Sequence, residues 1–425
     1  MRELDVLIIG GGPAGLSAAI RLKELGITDI LMVEQNPFLG GILNQCIHNG
    51  FGLHLFKEEL TGPEYAHRLI QQVEEMEIPF LLGTTVTAIE KNRQVRLVGP
   101  GGVEELQPKA IVLAMGSRER PRGAIHIPGT RAAGVFSAGS AQELVNLRGY
   151  HVGKRAVIVG SGDIGLIMAR RLTLEGCEVA AVVERMPFSS GLRRNIVQCL
   201  NDFEIPLQLS HTVSRIFGHE RVTGVNIAQV DASGRVMLET EEYVACDTVL
   251  FSVGLIPEAS LAVRAGVQMD RTTNGAVVDS NLETDAEGIF ACGNVLHIHD
   301  LVDNVTLEAF EAALNVKEYL DGKRRKQHLP VDFDASIRYV VPQFINQAGR
   351  LSDTQFKFRG TQVFENAKVT ISFDDEVVFQ RRFRIITPGE LEMVVVKANV
   401  MEKVRTVKTV AVRIESVQSK GGVPS

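Results

Sequence analysis

Residues 5–15 read DVLIIGGGPAG, and a helix-forming run, LSAAIRLKEL, follows directly. The apolar run before the glycines predicts a buried strand, and the glycines have the spacing G-x-G-x-x-G. In that spacing the first glycine allows a tight turn, the second lets backbone approach a pyrophosphate, and the third lets helix and strand pack closely. The N–H groups of the helix N-terminus then face the phosphates. The stretch therefore predicts a dinucleotide-binding strand–turn–helix unit, with these contacts: Gly10, Gly12, Pro13, Ala14 and Gly15.

The same construction occurs twice. The strand ILMVE ends at Glu34, 19 residues after Gly15, where a carboxylate can accept hydrogen bonds from both hydroxyls of an adenosine ribose. A second strand, glycine run and helix begin at Arg155, and the next strand ends at Glu184, again 19 residues after the third glycine. One such motif is a weak signal, but two complete copies predict two dinucleotide sites. The second copy contributes these candidate contacts: Gly160, Gly162, Asp163, Ile164 and Gly165.

Composition narrows the function classes. A chain of 425 residues predicts two or three domains. No apolar run approaches the ~20 residues of a membrane span, and the charged N-terminus leads straight into a strand without a secretory signal. Five scattered cysteines without a CxxC pair favour a reducing compartment, the cytoplasm, and predict no zinc or iron–sulfur site. The net charge of −6 gives no reason to expect nucleic acid.

Three further segments resemble motifs of one superfamily: AIVLAMGSRERP (110–121), TVLFSVGLIPEA (248–259) and TDAEGIFACGNV (284–295). With the glycine motifs they make the chain similar to the pyridine nucleotide–disulfide oxidoreductases, up to about residue 330. The resemblance implies an α/β fold with two Rossmann-like domains, an FAD domain interrupted by an inserted NAD domain. The implied ranges are 1–118 and 255–330 for the FAD domain and 119–254 for the NAD domain.

The resemblance also implies the cofactor contacts. Those expected for FAD are Gly10, Gly12, Pro13, Ala14, Gly15, Glu34, Gly40, Gly41, Val86, Ala114, Gly116, Gly293 and Asn294. Those expected for NAD(H) are Gly160, Gly162, Asp163, Ile164, Gly165, Glu184, Arg185 and Gly254. Two residues depart from the pattern. Asn294 replaces an aspartate but keeps an acceptor oxygen, and Arg185 could favour a 2′-phosphate, although Glu184 favours NADH over NADPH.

The stretch FLGGILNQCIHNGFG, residues 38–52, bears on how electrons leave the flavin. A dithiol relay needs two cysteines with Cα atoms about 4.4–6.8 Å apart, and this stretch has only Cys46. A disulfide reductase is therefore not expected. Cys46 and His48 are the catalytic candidates, with a structural or flavin-tuning role favoured for Cys46. The remaining cysteines are expected to be small buried apolar residues: Cys177, Cys199, Cys246 and Cys292.

A narrower resemblance rests on GGILNQCIHNGFGLHLFKEELTGPEYAHR and CGNVLHIHDLVDNV. These runs are similar to a subgroup found with FAD-dependent glycerol-3-phosphate dehydrogenase-like proteins, and more distantly to flavoprotein subunits of opine and proline dehydrogenases. This implies a hetero-oligomeric NAD(P)H oxidoreductase that exchanges electrons with another flavoprotein or an iron–sulfur subunit. Two alternatives stay open: a standalone NAD(P)H oxidase that uses O2, and a non-catalytic assembly subunit with structural nucleotides.

Polar residues fall within or just after these two runs: His48, His54, His297, His299, Asp300 and Asp303. Three roles are open for them, namely flavin binding, proton management beside a reduced flavin, and metal binding. Flavin binding is favoured and no metal site is predicted, because a metal needs a third ligand and a suitable geometry.

The chain after residue 330 is rich in Val, Ile and Phe with a period of two, which predicts short strands. We expect a small all-β, sandwich-like domain over residues 335–418, with turns at Asp374-Asp375 and Pro388-Gly389. Residues from 335 onward carry a net charge of +5, against −11 for the rest. The domain is either a docking module for an acidic partner or a lid that stabilises the FAD domain. The final residues, SKGGVPS, are expected to be disordered.

Overall fold

The structure is a computed structural model that describes residues 2–323, 326–349 and 351–416. The expected disorder of SKGGVPS lies outside these residues. The α-helices are α1 (Pro13–Glu24), α2 (Gly62–Glu75), α3 (Ala138–Asn146), α4 (Asp163–Leu174), α5 (Arg193–Cys199), α6 (Ser260–Arg264), α7 (Val302–Leu320) and α8 (Ala398–Met401).

The strands, in chain order, are β1 (Arg2–Ile9), β2 (Ile30–Val33), β3 (Asn49–Phe51), β4 (Leu60–Thr61), β5 (Phe80–Leu81), β6 (Thr85–Ile89), β7 (Val95–Gly99), β8 (Gly102–Leu113), β9 (Ser117–Glu119), β10 (Val135–Ser137), β11 (Arg155–Val159), β12 (Glu178–Glu184), β13 (Leu207–Leu209), β14 (His211–Gly218), β15 (Val222–Gln229), β16 (Glu242–Ala245), β17 (Thr248–Phe251), β18 (Leu255–Pro257), β19 (Ile289–Ala291), β20 (His328–Phe333), β21 (Ile337–Val341), β22 (Phe344–Asn346), β23 (Thr354–Gly360), β24 (Phe364–Phe373), β25 (Glu376–Ile386), β26 (Glu392–Val396) and β27 (Val410–Ser416).

The chain divides into two compact units. The first contains residues 1–43, 49–117 and 257–425, and the second contains residues 44–48 and 118–256. The second unit therefore holds the short segment Asn44–His48, which sequence patterns did not separate from its surroundings.

The first unit is built on a sheet with the order β5-β2-β1-β8-β7-β6, and β19 also pairs with β8. The pairs β2–β1, β1–β8 and β8–β19 are parallel. The strand β1 is buried from Val6 onward, as expected for a strand covered on both faces. Helix α1 packs against α7 on this sheet, and Ser17 of α1 donates a hydrogen bond to Thr306 of α7 at 3.2 Å.

The second unit has a parallel sheet with the order β10-β17-β11-β12-β13 and a three-stranded antiparallel sheet, β14-β15-β16. Apolar residues on the two faces of β11 belong to different cores: Ala156 and Ile158 pack with α3 and α4, and Val157 and Val159 pack with the antiparallel strands. The two glycine motifs thus begin two separate Rossmann-like sheets, and the expected α/β fold class is confirmed.

The last part of the first unit is strand-rich. It holds a five-stranded sheet with the order β22-β20-β27-β24-β25 and a three-stranded sheet, β21-β23-β26. It begins at β20, before the expected boundary at 335, and the β20–β27 pair is parallel. Its own apolar core lies between the two sheets. Tyr339 and Val341 of β21, however, are buried in the core of the N-terminal sheet.

Among the described residues, no helix is long and apolar enough to cross a membrane.

Candidate functional site

The first glycine motif forms a cradle made of backbone. Gly10 has φ of +110°, and a side chain there would meet the carbonyl oxygen of Ala114 at 2.4 Å. A Cβ on Gly15 would lie 1.8 Å from the carbonyl oxygen of Gly10. Gly12 differs, because the only atom near a Cβ there is the Cα of Gly41, at 3.8 Å. Gly10 and Gly15 are therefore required by packing, whereas Gly12 and Gly41 line a space that any side chain would begin to fill.

Glu34 is held at the edge of this cradle. Its carboxylate is buried, Oε2 accepts the N–H of Gly11 at 2.7 Å, and Oε1 accepts the N–H of Asn36 at 2.8 Å. Each carboxylate oxygen keeps a further lone pair. This arrangement fits the pair of ribose hydroxyls expected beside a pyrophosphate.

The parallel strands bring the other expected FAD contacts to one edge of the sheet. Gly10, Glu34, Ala114 and Gly293 all follow the carboxyl ends of neighbouring strands, β1, β2, β8 and β19, where doubly wound sheets bind their ligands. Gly40 donates its N–H to the carbonyl of Gly11 at 2.8 Å. The remaining expected contacts are Pro13 and Ala14 in the first turn of α1, Gly116 after β8, and Val86, buried in β6.

The turn Gly293–Asn294 packs on the start of α1. Gly293 has φ of +75°, and a Cβ there would lie 2.9 Å from the Cβ of Ala14. Its N–H donates to Oε1 of Glu308 at 2.6 Å. The Oδ1 atom of Asn294 accepts the N–H of His299 at 3.0 Å. The acceptor that asparagine shares with aspartate is thus used inside the protein.

Asp303 is a buried acid in the first turn of α7. Its Oδ2 accepts the N–H of His54 at 3.2 Å, and its Oδ1 has no hydrogen-bond partner. Asp300, three residues earlier, pairs with Arg359 of β23 at 2.5 Å and accepts the N–H of Leu391 at 2.6 Å. Asp303 therefore has a free acceptor oxygen, whereas both oxygens of Asp300 are engaged by the C-terminal strands.

His297 and His299 meet a residue that sequence patterns missed, Glu308. All three are buried, and their ligand-type atoms lie within 4.8 Å of one another. Lys357 of β23 donates to the same Glu308 carboxylate. Burial, then His299, lower the pKa of His297 to about 3, so it is neutral. Burial raises the pKa of Glu308, but Lys357 and both histidines outweigh it and hold that pKa well below the usual value.

The second glycine motif repeats the first inside the second unit. A Cβ on Gly160 would lie 2.1 Å from the carbonyl oxygen of Ser252, and a Cβ on Gly165 would lie 2.7 Å from the Cβ of Ser252. The buried Glu184 accepts the N–H and the hydroxyl of Ser161 on Oε2, at 2.9 and 2.6 Å, and the N–H of Met186 on Oε1. Its carboxylate therefore has the same anchoring as Glu34, which fits a second adenosine ribose.

The other residues expected at this site have mixed roles. Oδ1 of Asp163 accepts the N–H of Leu192 at 2.8 Å and a side-chain N–H of Asn195 at 2.6 Å, so it fixes the loop after β12. Arg185 donates to the carbonyl of Gly234, which occupies one end of its guanidinium. The remaining members are Gly162 at the start of α4, Ile164, half-buried in α4, and Gly254, after β17.

The segment Asn44–His48 packs on α3 in the second unit. Gln45 donates to the carbonyl of Gly139 at 3.0 Å and to Gln142 at 3.1 Å. The thiol of Cys46 contacts Oε1 of the same Gln142 at 3.8 Å. Burial raises the pKa of Cys46 to about 12. Burial, Arg194 and Arg170 lower the pKa of His48 to about 4. At neutral pH both groups are therefore uncharged.

Comparison with known proteins agrees with this geometry. The family model described as pyridine nucleotide-disulphide oxidoreductase matches residues 4–313. The probable ferredoxin reductase CtmF of Castellaniella defragrans is 30% identical over 68% of this chain and 67% of that protein. One of the opine oxidase subunits of Agrobacterium tumefaciens is 23% identical over 68% of this chain, which spans only 61% of that protein.

The solved thioredoxin reductase of T. acidophilum has the same fold, with a TM-score of 0.61 and 24% identity over 76% of this chain and 99% of that one. The cradle of Gly12 and Gly41, the two anchored glutamates and the family match agree on two nucleotide cofactors. The chain therefore belongs to the pyridine nucleotide-disulphide oxidoreductase family and is an FAD-dependent NAD(P)H oxidoreductase.

Proposed function

We propose that this chain passes electrons from NADH, by way of FAD, to a separate redox protein, and that it works as one subunit of a dehydrogenase complex. The observation that carries the proposal is the state of its cysteines. None of the five forms a disulfide, and burial raises the pKa of the Cys46 thiol to about 12. A dithiol relay needs a paired, reactive thiolate, and none of the five fits that role.

Bound FAD supplies the chemistry of this step, because a flavin accepts a hydride from NADH and releases the two electrons one at a time. The residues of this chain have the task of holding the cofactors. The anchored carboxylates of Glu34 and Glu184 orient the two adenosine riboses, and the backbone of Gly12 and Gly41 admits a pyrophosphate. With no thiol relay, the acceptor is a flavin or an iron–sulfur centre on another chain.

Strand β25 is the surface that we assign to this partner. It lies at the edge of its sheet and pairs, among the described strands, with β24 alone. Most of its 11 residues are exposed, including Arg381, Arg382 and Arg384. Val377 and Ile385 are 55% and 46% exposed. Arginine with apolar side chains is typical of interfaces, and the positive charge selects an acidic partner.

The same arginines disfavour pairing of β25 with a second copy of itself, because an antiparallel pair centred on Arg381 would place like charges opposite each other. The relatives support a hetero-oligomer: one is named a ferredoxin reductase and another is named as one subunit of an opine oxidase. The narrower resemblance described under sequence analysis makes a glycerol-3-phosphate dehydrogenase-like complex the candidate assembly. The free cysteines support a reducing compartment, the cytoplasm.

Anaerobic stopped-flow reduction of the flavin by NADH, followed by mixing with either O2 or the co-purified partner, tests the proposal. We expect fast bleaching by NADH, slow reoxidation by O2, and fast reoxidation by a flavoprotein or iron–sulfur partner. Rapid turnover with O2 alone would establish a standalone oxidase. Failure of NADH to bleach the flavin would establish an assembly subunit.

A further inference from the structure

A buried ion pair connects the C-terminal strands to α7. Lys357 lies on β23 and Glu308 on α7, and their side chains are 5% and 0% exposed. The Lys357 ammonium donates to Oε2 of Glu308. The same oxygen lies 3.1 Å from Nε2 of His297 and 3.4 Å from Nε2 of His299. The carboxylate of Glu308 therefore contacts two residues that precede α7, His297 and His299, and one that follows it, Lys357.

Hydrogen bonding assigns the protons of the two histidines. Nδ1 of His299 faces the carbonyl oxygen of His297 at 3.1 Å, so this nitrogen carries a proton. Nε2 of His299 lies 3.4 Å from Oε2 of Glu308. His297 donates from Nε2, which leaves its Nδ1 unprotonated and without a partner. His297 is neutral, and Lys357 places its ammonium charge directly on the Glu308 carboxylate.

Two histidines and one glutamate are also a common ligand set for zinc. In this cluster the ammonium of Lys357 stands where a metal cation would bind, because it already contacts the only carboxylate of the group. A divalent ion bound to the same oxygen would repel this buried cation. We therefore assign the charge of the cluster to Lys357 and not to a metal.

The second oxygen of Glu308 reaches the cofactor region. Oε1 accepts the N–H of Gly293 at 2.6 Å. Gly293 leaves no room for a side chain against Ala14, so its turn rests directly on the first turn of α1. A continuous set of contacts thus runs from Lys357 through Glu308 and Gly293 to the N-terminus of α1, the helix end that would face the pyrophosphate of bound FAD.

We propose that Lys357 is a positioning residue of the FAD site: the C-terminal strands keep Glu308 ionised and in place, and Glu308 holds the Gly293 turn against α1. The proposal rests on FAD binding, which the family membership establishes, and not on the proposed partner. It gives the C-terminal strands a direct part in holding the flavin.

Loss of Lys357 leaves a buried carboxylate without its cation. The unpaired carboxylate of Glu308 then either takes up a proton or becomes hydrated as the cluster opens to water. The proton can sit on Glu308 itself, and the other ionisable groups nearby are His299, the neutral His297 and the thiol of Cys292. At low pH the proton restores neutrality and the turn stays closed. At high pH the charge is unpaired and the turn loosens.

The test is calorimetric titration of apoprotein with FAD between about pH 6 and pH 9, a range well above the ordinary pKa of a glutamate. At the alkaline end we expect the Kd of Lys357→Met for FAD to be at least about tenfold higher than that of wild type. The slope of log Kd against pH should approach one, which corresponds to the uptake of one proton per FAD bound. Wild type should show a flat profile. Zinc analysis of the purified protein should find no stoichiometric metal.

The double variant Glu308→Gln/Lys357→Met removes both charges and keeps an oxygen for Gly293. We expect it to bind FAD with a flat pH profile, also in the case that the single variant fails to fold. Lys397→Met, at an exposed lysine that directly follows β26 and pairs with Asp353, is the matched control and should resemble wild type. A folded Lys357→Met with wild-type affinity at every pH, a folded double variant that cannot hold FAD, or one equivalent of zinc would each overturn the proposal.

Discussion

Cys46 illustrates at the scale of one residue how burial decides reactivity. Its thiol contacts Gln142, and burial raises its pKa to about 12, so the thiolate is scarce at neutral pH. Cys46→Ser should therefore keep the rate of NADH-dependent dye reduction within about threefold of wild type, because only a thiolate acts as a nucleophile. Steady-state assays with a dye acceptor measure this. Loss of the reaction in a variant that still holds FAD would contradict it, and Cys177→Ser provides the comparison.

Two neutral histidines make the protein sensitive to acid. Burial is the first cause that lowers the pKa of His297, to about 3, and of His48, to about 4. A lowered histidine pKa gives stability that is present above the unfolded value and lost as pH falls toward the folded one. We expect the free energy of unfolding to fall by about 2 kcal/mol per histidine between about pH 6.5 and pH 5.

Urea unfolding at several pH values measures this dependence. The variant His297→Gln should show a shallower loss, because its side chain takes up no proton. His211→Gln, at a histidine outside the cluster that contacts the carbonyl of Leu209, is the control. An unchanged slope in His297→Gln would show that His297 does not contribute.

Glu184 is expected to set the choice of nicotinamide cofactor. Its carboxylate is fixed by Ser161 and Met186, and Arg185 is engaged with Gly234. A 2′-phosphate would meet the anchored negative charge, so NADH should be preferred over NADPH by about tenfold or more. Glu184→Ala should lower the preference for NADH over NADPH. Glu178→Ala, at the exposed start of the same strand, should leave that preference unchanged. Stopped-flow reduction that is faster and saturates lower with NADPH in the wild type would refute the prediction.

At the scale of elements, β25 carries the partner prediction. Charge reversal by Arg382→Glu/Arg384→Glu should raise the KM for the co-purified partner protein at least about tenfold at low salt, because attraction between oppositely charged surfaces assists encounter. Dye reduction by NADH should stay unchanged. The matched control is Lys397→Glu/Lys403→Glu, at exposed lysines of the same strand-rich region. An equal effect of both variants would indicate a general loss of charge and not a docking strand.

At the scale of the whole molecule, the C-terminal strands complete the FAD domain. Tyr339 and Val341 are buried in the core of the N-terminal sheet, and Arg359 and Lys357 neutralise Asp300 and Glu308. Deleting residues 335–425 should therefore cost FAD binding, because it uncovers apolar surface and removes one partner of a buried ion pair, which costs about 3–5 kcal/mol. The flavin-to-protein absorbance ratio of the purified truncated chain measures this. Full retention of FAD would leave docking as the role of these strands.

The sequence by itself determined the two Rossmann-like domains and their two nucleotide cofactors. Local rules are sufficient there: a short apolar strand, glycines where only backbone fits, and a carboxylate 19 residues later all act within one strand–helix–strand unit. The single cysteine of residues 38–52 also excluded a dithiol relay within that stretch.

Only the tertiary structure decided what the polar residues after β19 do. The spacing of His297 and His299 left flavin, proton and metal roles open. The answer depends on Glu308, eleven residues after His297 on a helix, and on Lys357, 49 residues beyond Glu308 on a strand. Sequence patterns report periodicity along one element, whereas a buried charge finds its counter-ion wherever packing brings one. The same reason explains why Tyr339 and Val341 of the C-terminal strands are buried in the core of the N-terminal sheet.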